Sequence, residues 1–142
     1  MKFHNIIIIL ALIIGNINVS MSQSLTADKE NEYLSLISHI NDTNFTACAC
    51  LAVDRSSSYL PNHRHGIEFA LTLERKIDSS FPRCATISRN DSMFYNLHAS
   101  DMEKIKTLYE KWFMLWKKDT TITQKPLDGT EYKWVDLEGA WH

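Results

Sequence analysis

The sequence predicts a mainly α-helical protein, a small bundle of four to five helices behind a cleaved signal peptide, cross-linked by one disulfide. Three observations predict it. Glycine and proline number only four and three in 142 residues, too few for the many turns of a sandwich of short strands. One long stretch, from Ser100 to about Lys118, repeats apolar residues at helical spacing. Three cysteines stand downstream of an apolar leader, which places them where thiols oxidise.

The leader is MKFHNIIIILALIIGNINVSMS, Met1–Ser22. Lys2 supplies a basic start, and an apolar run from Ile6 to Ile14 follows. That run falls well short of the roughly 20 residues that cross a bilayer. A short basic start, a short apolar run and small residues at the cut are the pattern of a secretory signal peptide. Ser20 and Ser22 suit cleavage before Gln23, with a cut after Ser20 as the alternative. The expected organisation is residues 1–22 as leader and 23–142 as a single helical domain, periplasmic or secreted, with no membrane association after cleavage. Loss of Lys2 leaves fourteen basic against seventeen acidic side chains, a net charge near −3. Such a balance argues against nucleic acid and anionic membranes, both of which favour basic patches.

Each element follows from local pattern. Thr26 caps a first helix over Ala27–Ile40, with acids in its first turn and Tyr33, Leu36, Ile37 and Ile40 on one face. Asn41–Asn44 is a break. Phe45–Arg55 is ambiguous between helix and strand, and its alanines tilt it to helix. Ser56–Ser58 is a loop, and Pro61 suits a helix start that Gly66 weakens, so regular structure is expected over Ile67–Ile77. Ile67, Ala70, Leu71, Glu74 and Ile77 share one face there. Residues 83–99 carry no clear signal. Ser100 and Glu103 form a capping box for the long helix, whose stripe is Met102, Ile105, Leu108, Tyr109, Trp112, Leu115 and Trp116. Thr120–Thr123 disfavours its continuation, and Pro126–Gly129 is a turn. The last stretch is expected as a short helix placing Tyr132, Val135 and Gly139 together; as a strand, Tyr132, Trp134 and Asp136 would share a face instead.

Cys48 and Cys50 stand two residues apart, poor geometry for a bridge to each other. Cys84 therefore pairs with one of them, Cys48 slightly preferred and Cys50 the alternative. In the loop-entropy picture a closure of about 35 residues stabilises by about 4 kcal/mol. The thiol left over lies among Ala47, Ala49, Leu51, Ala52 and Val53, an apolar setting that keeps it inert.

Chemistry-bearing motifs are sparse. Asn62-His63-Arg64-His65-Gly66 offers two histidines at a spacing that can bind one metal, but a zinc site needs a third ligand, and the plainer reading is a polar entry loop. No phosphate-binding glycine loop, nucleophile elbow or zincin helix occurs. Glu68 and Glu74 read as solvated. The expectation is a protein without catalytic residues, metal or cofactor. Asn41, Asn44 and Asn90 each begin an N-glycosylation acceptor triplet.

The order of leader, short helix, cysteine-bearing segment, proline-started helix and a long helix running into QKPLDGTEYKWVDLEGAWH resembles the periplasmic immunity proteins that neutralise peptidoglycan amidase effectors of type VI secretion. The matching positions are Cys48 or Cys50, Pro126-Leu127, Tyr132 and Trp141-His142. Family members usually carry a second cysteine in the final helix, whereas Cys84 lies far upstream. The resemblance implies a small helical homodimer that occludes the cleft of a cell-wall amidase effector with a protruding loop. On this chain that loop would be Ser56–Gly66, with Tyr59 as aromatic anchor and His63, Arg64 and His65 as polar contacts. The competing expectations are a metal or small-ligand binder built on His63 and His65, and a glycosylated secreted helical protein.

Overall fold

The computed structural model describes residues 26–47, 62–90 and 97–136. The chain divides into two compact units, residues 1–32 and 33–142. Three helices and two two-stranded antiparallel sheets make up the described residues, so the fold is α+β and the expected bundle of four to five helices is not formed. In order these are α1 (26–38), β1 (Phe45–Ala47), β2 (Asn62–Arg64), α2 (His65–Ile77), β3 (Ala85–Arg89), α3 (Ala99–Lys118) and β4 (Tyr132–Asp136).

Two segments overturn the helical expectation. Phe45–Ala47, assigned to a helix for the alanines around it, is strand, paired Phe45↔Arg64 and Thr46↔His63. Tyr132–Asp136, expected as a terminal helix, pairs with Ala85–Arg89 in the register Ile87↔Trp134. Both runs combine aromatic with β-branched side chains, which suit a pleated, half-buried surface. Ala85, Thr86, Ile87 and Ser88 are all buried. Across β4, Tyr132 is buried, Trp134 half-buried and Asp136 exposed.

The helices meet the expectation more closely. α1 stops at residue 38, two short of Ile40, and its end tightens through His39 N–H to Leu36 and Ile40 N–H to Ile37 carbonyls. Tyr33, Ile37 and Ile40 are buried, and the Tyr33 ring lies 4.9 Å from Trp116. α2 starts directly from β2. Gly66, rather than weakening that start, permits it: a Cβ there would lie 2.6 Å from the Ile40 carbonyl carbon, nearer still to its oxygen, and 2.8 Å from Met102 Cε.

α3 carries the core. Met102, Ile105, Tyr109, Trp112, Phe113 and Trp116 are buried on it, each full apolar burial contributing about 1.5–3 kcal/mol. Phe113 takes the inward place expected for Leu115, which is 52% exposed. The helix begins one residue ahead of Ser100, and the Asp101 carboxylate accepts the His98 N–H at 2.8 Å. Glu103, expected in the capping box, instead accepts from Asn41 Nδ2 at 2.8 Å.

Against the expected cross-link, no disulfide is found among the described residues, and Cys84 is buried just ahead of β3. Cys48 and Cys50 lie outside the described residues. Among the described residues no helix is long and apolar enough to cross a membrane.

Candidate functional site

β2 runs into α2 with no linker, so His63, Arg64 and His65 leave the backbone in three directions from one corner. Two backbone bonds fix that corner: His65 N–H to the Asn44 carbonyl at 2.7 Å and Gly66 N–H to the Asp42 carbonyl at 3.0 Å. His63 turns inward, 2% exposed, with Nε2 2.7 Å from Glu68 Oε1 in the first turn of α2. A carboxylate can only accept, so Nε2 carries the proton. His65 Nδ1 lies 2.8 Å from Asp42 Oδ2, and its ring meets Phe69 edge-on at 5.0 Å. His39 stacks on the same Phe69 at 4.9 Å.

Arg64 behaves differently. Its Nε donates to the Leu97 carbonyl at 3.0 Å and an Nη to the Thr43 carbonyl at 2.6 Å. Held from both sides, the guanidinium sits 4.0 Å over the Phe45 ring, its cross-strand neighbour. Phe45 is 62% exposed, the most open large apolar side chain among those described. The corner thus shows solvent an arginine–aromatic pair whose geometry is already set.

The carboxylates of the corner are held in their ionised form. The His63 hydrogen bond, opposed by partial burial, lowers the pKa of Glu68. The Asn44 backbone N–H, with His65 beside it, lowers that of Asp42. Both imidazoles are therefore engaged with carboxylates of the same chain.

A second polar cluster lies in the core. Glu74, expected as solvated, is fully buried; its Oε1 accepts from Tyr109 Oη at 2.9 Å and from Trp134 Nε1 at 3.4 Å, while Oε2 has no partner among the described residues. Burial pushes the Glu74 pKa up, against the pull of those two donors. Its place was marked in the sequence by its sharing a helical face with Ile67, Ala70 and Leu71. Tyr132, one of the residues behind the family resemblance, gives its hydroxyl to Asp101 at 2.8 Å; both are buried, and Arg89 stands 3.7 Å from the same carboxylate. Burial would raise the Asp101 pKa, but the His98 N–H and the Tyr132 hydroxyl hold it low.

Of the other sequence-marked residues, Tyr59, Cys48, Cys50, Trp141 and His142 lie outside the described residues, as does the loop Ser56–Gly66 up to residue 61. Pro126 and Leu127 are buried in a turn that Gly129 completes at φ 71°. The three glycosylation asparagines fall at turns or loop ends, each with its amide nitrogen bonded: Asn41 to Glu103, Asn44 to Asp42, Asn90 to the Thr130 carbonyl. Among the described residues no group of three or more His, Cys, Asp or Glu side chains could hold a metal ion. No protein-family model, curated protein or solved structure matches the chain.

Proposed function

We propose that this chain is an exported binding protein, docking onto another protein through the corner where β1, β2 and α2 meet. One observation carries the reading: Phe45 stands in solvent with the Arg64 guanidinium fixed over its ring by two carbonyls. Arginine and aromatic residues dominate binding energy at protein interfaces. A pair already ordered before association loses less entropy on binding. The short apolar leader supports export.

The narrower partner, a peptidoglycan amidase effector, comes from the family resemblance. Its matching residue Tyr132, in a stretch expected from local spacing as a short helix, lies instead in the strand Tyr132–Asp136. An amidase is therefore the first partner to try, and docking is the broader claim. The test immobilises residues 23–142 and measures capture and inhibition of small cell-wall amidases, wild type against Phe45→Ala and Arg64→Ala. Capture weakened about tenfold or more by Phe45→Ala, in line with a hot-spot truncation, supports the corner. Tight capture indifferent to both substitutions removes it from the interface.

A further inference from the structure

A different face of the molecule inverts the charge of the whole. At the far end of α2, about 16 Å along the helix from Arg64, a recess of about 270 Å³ is lined by Arg75, Lys76, Arg83 and Phe81, with Thr72 and Ser79. Phe81 is also a wall of a second recess, of about 390 Å³, that includes Lys125, Lys133, Trp134, Asn90 and Asp128. Five cations therefore line two adjoining hollows against two carboxylates, Asp128 on the wall and Asp78 bonded to Lys125, in a chain whose net charge is −2.

The centre of this face is built. Phe81 meets Trp134 edge-on with ring centroids 5.1 Å apart. Lys125 Nζ lies 4.9 Å over the Phe81 ring and 2.9 Å from Asp78 Oδ2. Trp134 is anchored from behind by its bond to buried Glu74. Around this aromatic seat Arg75 and Lys133 are exposed. Clefts lined by one sign of charge over low-dielectric walls focus the field and speed the encounter with opposite charge. Arginine, with its forked donors, suits a carboxylate best.

We infer that these two recesses form a docking surface for an acidic protein segment, one that seats an aromatic or large apolar side chain against Phe81 and Trp134 and lays its carboxylates on Arg75 and Lys133. Charge complementarity selects the partner's sign, and the size of each hollow selects side chains over a long tracked backbone. A nucleic acid fits less well, because the acidic remainder of the chain repels an extended polyanion. The surface is separate from the Phe45–Arg64 corner and stands independently of it.

The test is fluorescence anisotropy of the purified protein with a labelled nonapeptide of four glutamates, one phenylalanine and four glutamates. Binding is expected to weaken about tenfold in Arg75→Glu with Lys133→Glu, to weaken with added salt, and to weaken when the peptide's phenylalanine becomes serine. The milder Arg75→Gln with Lys133→Gln, at exposed positions, should show the same trend with an unchanged melting temperature. No binding of the acidic peptide, or binding indifferent to charge reversal, overturns the proposal. So does an oligothymidylate that binds at least as tightly as the phenylalanine peptide.

Discussion

The Tyr109 hydroxyl donates to Glu74 Oε1 across 2.9 Å, and both side chains are closed off from solvent. Burial raises the Glu74 pKa above its ordinary value of 4.5 and raises that of Tyr109 as well, the carboxylate's proximity adding to the effect. The folded chain thus holds the Glu74 proton more tightly than the unfolded chain does. By linkage, the stability this contributes is whole below the unfolded value and is lost as pH rises through the folded one. Glu74→Gln, which keeps an acceptor for Tyr109 and cannot ionise, should be more stable than wild type at pH 8, with the gap closing toward pH 4. Urea unfolding across that range measures it. Tyr109→Phe should cost about 1–3 kcal/mol, since it strips the buried carboxyl of its shorter bond.

Asp78 shows the opposite sign. The Ser80 hydroxyl, the Lys125 ammonium and the Ser80 N–H draw its pKa down from 3.8 to about 2. The stability it contributes is present above the unfolded value and disappears as pH falls from about 3.8 through about 2. Asp78→Asn should flatten the acid side of the stability profile in that window and leave the profile between pH 6 and 8 parallel to wild type. Thermal melts from pH 2 to 8 would reveal an unchanged acid limb if the assignment were wrong.

Gly66 is tested by one methyl group. Its Cβ would collide with the backbone of Ile40, which cannot swing aside as a side chain can. Gly66→Ala should destabilise by about 1–3 kcal/mol, the usual cost of overpacking, although alanine is the better helix former by roughly 1 kcal/mol. A gain in melting temperature would show that α2 and the end of α1 are farther apart than described.

Phe113 and Leu115 make a paired prediction about the face of α3. Phe113 is 4% exposed and stacks on Trp116 with centroids 5.8 Å apart, whereas Leu115 is half open to solvent. Phe113→Ala should cost about 3–5 kcal/mol, and Leu115→Ala less than about 0.5 kcal/mol. Equal losses in chemical denaturation would contradict the orientation of the helix.

How much of this was legible depends on how local each determinant is. Met102, Ile105, Tyr109 and Trp112 announce α3 because the helical period repeats within the element itself, and α2 ends at Ile77 just ahead of Ser79, Ser80 and Pro82, residues that disfavour its continuation. The β3–β4 pair was not legible. Ile87 and Trp134 find each other across α3, with no hairpin turn between them to betray the pairing. Five-residue runs of mixed apolar and polar side chains suit a short helix as well as a strand. Glu74 reads as solvated from its local sequence for the same reason, its partners Tyr109 and Trp134 lying 35 and 60 positions away. At the corner, the sequence marked His63, Arg64 and His65 as a unit; that Arg64 alone faces an exposed ring depends on the pairing of β2 with Phe45.

The pairing of β3 with β4 also orders events during synthesis. Ala85–Arg89 leaves the ribosome early, but its ladder partner is translated only after the whole of α3, about 43 residues later. At about 5–20 residues per second, that is a wait of roughly 2–9 s. During it the strand's amide groups have no ladder partner and must be satisfied by water or by transient contacts.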